Sequence, residues 1–431
     1  MRLSLPCLLL VGSIFAGCPS SSPSEIDSGV VDNDSGVHPD AAPHLDATVN
    51  PDATTNPDAM PSPDAEPAPD AMGPADTGPS PDAGCVAPLA DCNGDGMSCE
   101  TDTSTNSLSC GACGHSCFGA TCSSSLCDPT VLATPGNAYR SGVSGSFVYY
   151  IRVNAFPPSS YNLHRVPVDG TGIAEPISNG AGAPGGLDMD QTHVYFAIQG
   201  TPSTVYQKAH TASATSTPEI VFTTPDLPLY LVRRSDAFYW ISQYPNVAPA
   251  RVFRRALNAP PNDVGAEIAH GVDRSRVTSF AATSSVAYWV EDDLGGHATL
   301  KALVLSSTVV RTIVDAPIST DANLHVDQGA VYWALRDSGR AGVYRYYLGG
   351  SVQGLVSRVN LYTAIPDPTS DQVYIGEAFS GTSISVISKG GGALRRIASH
   401  GAGNDFAGLT TNFLFVVDAP LDFGEVRRIV R

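Results

Sequence analysis

Phe238-Tyr239-Trp240-Ile241, Ala287-Tyr288-Trp289-Val290 and Val331-Tyr332-Trp333-Ala334 hold all three tryptophans of the chain, each directly after a tyrosine. Four further segments keep the same form: Val148-Tyr149-Tyr150-Ile151, Val194-Tyr195-Phe196-Ala197, Val373-Tyr374-Ile375-Gly376 and Leu414-Phe415-Val416-Val417. Their second residues lie 46, 44, 49, 44, 42 and 41 positions apart. Successive side chains of a strand point to opposite sides, so two large aromatics in a row call for a strand covered on both faces. A sheet with one wet face does not meet that demand, whereas a stack of sheets does.

Other features keep phase with this core. Five residues before its second position stands a turn-type residue, Ser144, Asp190, Thr283, Asp327, Thr369 or Thr410, with Arg234 the exception. After the core comes an apolar strand carrying a basic or amide residue, as in Leu163-His164-Arg165, Val252-Phe253-Arg254 and Val343-Tyr344-Arg345. A Gly or Asn turn often follows, and then a fourth strand such as Ile220-Val221-Phe222 or Arg311-Thr312-Ile313-Val314. Four strands in about 43 residues, repeated seven times, predict an all-β fold: a seven-bladed β-propeller over residues 128–431. The rival, a pair of β-sandwiches, leaves the steady period unexplained.

This pattern resembles the YWTD-type propellers, whose repeats read Tyr-Trp, then a hydrophobic-x-Arg strand and a Gly turn. Those rings are usually six-bladed, and the Thr-Asp that follows Tyr-Trp in them is missing here. The resemblance implies a propeller and names no ligand. The last segment, Val426 to Arg431, falls at a third-strand position, and Thr130-Val131-Leu132-Ala133 fits the missing fourth strand. Joining these N- and C-terminal strands closes the ring without an exposed sheet edge.

Ahead of the repeats, residues 85–127 hold eight cysteines, Cys85, Cys92, Cys99, Cys110, Cys113, Cys117, Cys122 and Cys127, among few large apolar side chains. Such a segment lacks the core to fold unaided, so four disulfides are expected, with the pairing open. Zinc on Cys110, Cys113, Cys117 and His115 competes, but thiolate zinc sites suit reducing compartments. Asp91, Asn93, Asp95 and Gly96 follow the start of a calcium loop, with Asp102 at its twelfth position. The flanking helices of such a loop are missing, and an ordinary Asn/Gly turn is the competing reading of these candidate calcium ligands. The run from Asp91-Cys92-Asn93-Gly94-Asp95 through Cys99-Glu100-Thr101-Asp102 to Cys110-Gly111-Ala112-Cys113-Gly114 resembles a Cys-rich module recurrent in exported bacterial surface proteins. It implies location more than activity.

Residues 18–84 read as a spacer. Asp34, Asp40, Asp46, Asp52, Asp58, Asp64, Asp70, Asp76 and Asp82 recur every six residues, mostly within Pro-Asp-Ala. From Pro19 to Gly84 there are thirteen acidic residues and no Lys or Arg, so most of the net charge of -18 lies here. Little is available to bury and the charges repel, which predicts an extended, disordered chain. Its reach approaches 200 Å at ~3.1 Å per residue.

Residues 1–17 show a basic Arg2, an apolar stretch from Leu3 to Ala16 and then Gly17, the layout of an export signal. Phe15-Ala16-Gly17-Cys18 resembles the bacterial lipobox, with Phe15 where Leu or Val is usual. The resemblance implies cleavage before Cys18 and attachment of diacyl, palmitate-type lipid to its sulfur. Cysteine parity agrees: once Cys7 leaves with the signal, nine cysteines remain and eight crowd into the module. Pro19, in place of the Asp that resembles an inner-membrane retention signal, favours the outer membrane or cell surface.

The remaining sequence is only mildly acidic and carries no basic cluster, which argues against nucleic acid as a partner. Nucleophile elbows, His-Glu-x-x-His, Walker loops and dinucleotide fingerprints are all missing. Lys389-Gly390-Gly391-Gly392 has its lysine on the wrong side of the glycines for a phosphate loop and reads as a blade turn. Asp188, Arg233, Arg234 and His325 fall on or beside the expected inner strands and are the candidate channel residues. Two functions fit: a surface lipoprotein whose propeller binds a protein, peptide or glycan, or a propeller hydrolase or lyase with its site at the channel mouth. No catalytic residue is assigned.

Overall fold

The computed structural model describes residues 84–431 apart from 97, 154–158, 243–248, 272–275, 293–297, 308, 317–322, 336–340, 359–360, 378–382, 400–404 and 419–423. Residues 1–17, expected to form an export signal, Cys18, and the Asp-rich segment expected to form a spacer, up to residue 83, therefore lie outside the described residues.

The chain is all-β, and seven four-stranded antiparallel sheets form its propeller. In the first blade the strands Ala138–Ser144, Phe147–Val153, Ser160–Pro167 and Glu175–Ala181 lie side by side in chain order. Blades two to six repeat this meander. The seventh takes Asp405–Leu409, Phe413–Asp418 and Glu425–Val430 from the end of the chain and Thr130–Ala133 from before the first blade. Its register sets Val426 opposite Ala133, Arg427 opposite Val131 and Arg428 opposite Thr130. Both ends of the repeat region thus share one sheet, as the sequence phase requires.

Coverage on both faces accounts for the aromatic pairs. Seven apolar clusters of described residues hold the ring, each shared by two neighbouring blades. Tyr239 and Ile241 face the fourth blade, while Phe238 and Trp240 from the same strand face the second. Tyr288 likewise packs toward the fifth blade and Trp289 toward the third. All three tryptophans are buried, and the Trp240 ring stacks on Phe253 at 5.3 Å. Burial lifts the phenols of Tyr149, Tyr288 and Tyr374 to about 12, so they remain neutral hydrogen-bonding groups.

The basic residue expected on the third strand stands directly across from the core. Arg165 pairs with Tyr149, Arg254 with Tyr239 and Arg345 with Tyr332. In the fourth blade Lys301 pairs with Trp289 instead, and both donate to the buried Glu291 carboxylate, at 2.5 and 2.6 Å. The third and fourth strands shift register in every blade. Such bulges add twist at the rim of each sheet, and a four-strand count alone does not reveal them.

The eight module cysteines form four disulfides: Cys85–Cys99, Cys92–Cys113, Cys110–Cys122 and Cys117–Cys127. Cys110, Cys117, Cys122 and Cys127 cluster with Val430 of the closing blade. The Phe118 ring meets Phe413 edge-on at 5.2 Å, and Arg428 donates to the Phe118 carbonyl at 3.4 Å. The module is therefore seated on the blade where the ring closes.

Candidate functional site

The innermost strands converge on a central cavity of about 370 Å³. Close approach of these strands depends on small residues. A Cβ on Gly185 would fall 2.1 Å from the Pro228 oxygen, and one on Gly186 would fall 2.2 Å from the Leu231 nitrogen. The second and third blades meet only because neither has a side chain.

Asp188, Arg234 and His325 all line this cavity. Asp188 is half-buried on Pro184–Met189, where its Oδ2 accepts the Arg233 amide at 2.6 Å and lies 3.7 Å from the Arg234 guanidinium. Burial raises its pKa above the ordinary carboxylate value, against the opposing pull of Arg234 and the Arg233 amide. Arg234 also donates to the carbonyls of Ala282 (2.6 Å) and Arg233 (2.9 Å), so it ties the third blade to the fourth. His325 sits on the short strand His325–Asp327 with its Nε2 buried and unpartnered. Desolvation lowers its pKa to about 4, which leaves the ring neutral at physiological pH.

Arg233 turns elsewhere. Its guanidinium lies 3.1 Å from Asp190 and over the Tyr195 ring, outside the cavity wall. Burial opposes ionisation of Asp190, but hydrogen bonds from Thr192, His193 and Tyr195 outweigh it and hold that carboxyl well below its usual range. Arg233 and Asp190 thus serve the blade turn, and the main-chain amide of Arg233 is what reaches the channel residue Asp188.

The sequence did not single out Arg140 and Tyr230, which line the same cavity. The Arg140 guanidinium lies 4.8 Å from the Tyr139 ring centre and 4.3 Å from that of Tyr230, and it donates to the Leu229 carbonyl at 3.4 Å. Tyr230 in turn donates its hydroxyl to the Thr278 carbonyl. Arg140 occurs before a core tyrosine pair and Tyr230 in a short apolar run, so only their place on inner strands marks them. Chemically the wall offers guanidinium and hydroxyl donors, one carboxylate and one neutral imidazole, a set suited to holding polar ligand groups.

The candidate calcium residues divide between two turns. Asp91 is buried and accepts the amides of Gly94 (2.7 Å) and Gly96 (2.8 Å), while Asn93 and Asp95 bond to one another. Asp102 accepts from Ser104 and Thr105, and these hydrogen bonds lower its pKa. Among the described residues no group of three His, Cys, Asp or Glu ligand atoms forms in this loop. One such cluster of sulfurs exists, Cys110, Cys117 and Cys122, and all three are in disulfides. Of the other two zinc candidates, Cys113 is in a disulfide with Cys92 and His115 is bonded to the Cys110 carbonyl at 2.6 Å.

No family model and no curated protein sequence matches the chain. Among solved structures, puromycin hydrolase is similar with a TM-score of 0.51 at 14% identity, over 68% of this chain and 51% of that one. A second structure of that hydrolase gives 0.52 at 15%, over 70% and 53%. A computationally designed protein matches with a TM-score of 0.44 at 12% identity, over 68% of this chain and 97% of its own. At such identities the likeness is one of fold, and the chain spans about half the length of the hydrolase.

Proposed function

We propose that the chain is an exported, lipid-anchored binding protein, tethered at Cys18, whose propeller holds a protein, peptide or glycan partner at its central channel while the spacer provides reach. The observation that carries the binding half is the composition of the cavity wall. Of the described side chains that line it, Asp188 is the one carboxylate and His325 the one imidazole. Hydrolytic or lyase chemistry ordinarily draws on several such groups brought within hydrogen-bonding reach, and Asp188 is already engaged with Arg234 and the Arg233 amide. Export is supported by the four disulfides, which persist in oxidising compartments.

The channel is tested by binding of the full chain to printed arrays of glycans and peptides, beside a Ser141→Phe variant. Ser141 lines the cavity, so a phenyl ring there obstructs it. Binding by the wild type and loss of the same signals in the variant is the expected result. Signals untouched by Ser141→Phe would move the site out of the channel.

A further inference from the structure

Charge is unevenly spread along the central channel. Among the described residues of its wall, the guanidinium groups of Arg140 and Arg234 stand against the single carboxylate of Asp188. They lie at different levels. Asp188 pairs with the core residue Tyr195, and Arg234 follows directly on the inner strand Pro228–Arg233, 3.7 Å from the Asp188 carboxylate. Arg140 pairs with Ile151, which lies past the core Tyr149 of the first blade, so it stands nearer the mouth at which the inner strands begin. Asp188 is thus matched to Arg234, and Arg140 is the second positive charge of the wall.

The Arg140 side chain starts on the first blade and ends on the third. Its guanidinium lies 4.3 Å from the centre of the Tyr230 ring and donates to the Leu229 carbonyl at 3.4 Å. Between them the second blade offers Gly185 and Gly186, packed so close to Pro228 and Leu231 that neither leaves room for a Cβ. Stacking on the tyrosine steadies the plane of the guanidinium and uses none of its N–H donors. The large apolar residues of the wall stand behind the polar ones. Leu231, Phe280, Leu324 and Phe406 are each buried, whereas Arg140, Ser141, Asp188 and His325 are half-buried.

We propose that the channel takes an acidic sugar, with its carboxylate held by Arg140 and its hydroxyls by Ser141 and His325. This rests on the channel reading above and names the chemistry of the ligand. A guanidinium fork matches the paired oxygens of one carboxylate. The cavity of about 370 Å³ is near the lower end of the range for ligand pockets, about 300–1,000 Å³, which admits a single sugar ring with the rest of a glycan outside. Hydroxyls on the edges of that ring suit a wall whose half-buried groups are polar, and an apolar side chain of a peptide would leave those groups desolvated and unpaired. The neutral imidazole of His325 has one nitrogen that donates and one that accepts, and a sugar hydroxyl can meet either.

The test is calorimetric titration of the full chain with trigalacturonate, a hyaluronan tetrasaccharide and sialyllactose, each beside its methyl ester, and with an acidic tripeptide. Wild type is compared with Arg140→Gln, Arg140→Lys and Ser141→Phe, and melting temperatures confirm that each variant is folded. The expected result is saturable binding of at least one acidic sugar, with its ester about tenfold weaker or more. Arg140→Gln should remove that preference, Arg140→Lys should keep part of it through the charge alone, and Ser141→Phe should abolish binding. Acid and ester bound equally, yet both lost in Ser141→Phe, would overturn the acidic sugar and leave the channel as a binding site. A preference untouched by Arg140→Gln, or the tripeptide bound more tightly than every sugar, would overturn it too. Binding that survives Ser141→Phe, or no binding of any probe, would remove the inference together with its support in the channel.

Discussion

Asp188 and His325 stand at the same level of the ring, since Asp188 pairs across to Tyr195 and His325 to Tyr332, the equivalent core tyrosines of the second and fifth blades. Asp188 has found partners on the next blade, and the His325 ring has none. The unfolded chain takes up a proton on this histidine near its ordinary pKa of 6.5, whereas the folded chain resists until about pH 4. Stability contributed by the neutral ring is therefore complete above pH 6.5 and is lost as pH falls from there toward 4. In urea titrations at pH 7 and at pH 4.5, wild type should lose about 1–2 kcal/mol more than His325→Gln. Equal losses would show that the ring is not held neutral.

Trp289 is fully buried between the third and fourth blades, and its indole nitrogen donates to Glu291. Trp289→Ala opens a cavity and removes that donor, at a cost of about 3–5 kcal/mol. Ile173→Ala, at a residue 87% exposed, serves as the control and should stay within about 0.5 kcal/mol. Chemical denaturation of the two variants separates a core role from a general effect of truncation.

The glycine pair of the second blade makes a steric prediction. Gly186→Ala places a methyl group against Leu231 main-chain and side-chain atoms, at 2.2 and 2.6 Å before relaxation. The inner strands must then part, which should cost about 1–3 kcal/mol. Gly349→Ala, where the added Cβ meets nothing but the backbone φ is +82°, probes conformational strain without a clash. Loss of channel-dependent array signals should accompany Gly186→Ala alone.

Cys117–Cys127 ends three residues before the strand Thr130–Ala133 that closes the ring. Replacing both cysteines with Ala should lower stability by about 2–3 kcal/mol, as expected for a short loop. Amide exchange should accelerate in residues 130–133 and in their partners Val426 and Arg428. The Cys85–Cys99 pair lies at the far end of the module sequence, and its removal should leave exchange in the closing blade unchanged.

How far the sequence reached follows from which interactions are periodic. The aromatic core, the strand-three arginines and the closing segment recur at fixed spacing, so they set blade number and register together. Disulfide pairing carried no such signal: Cys92–Cys113 and Cys110–Cys122 interleave in sequence, and only three-dimensional proximity selects them. Ties between blades were equally hidden. Lys389, read as part of a turn, sends its ammonium to the buried Asp327 of the neighbouring blade, and the turn itself is present at Gly391, with φ +88°. Tyr149 meets His210 across 61 residues at 2.8 Å. At the channel, inner-strand phase was enough to place Asp188, Arg234 and His325 in the wall, while Arg233 and Arg140 depended on which way each side chain turns.

Mass spectrometry of the mature N-terminal peptide, taken from membranes of the native cell, tests the exported and anchored state on which the account rests. It predicts a chain that starts at Cys18 with diacylglycerol on the sulfur. An unmodified Cys18, or a mature chain that starts at another residue, would contradict the tether.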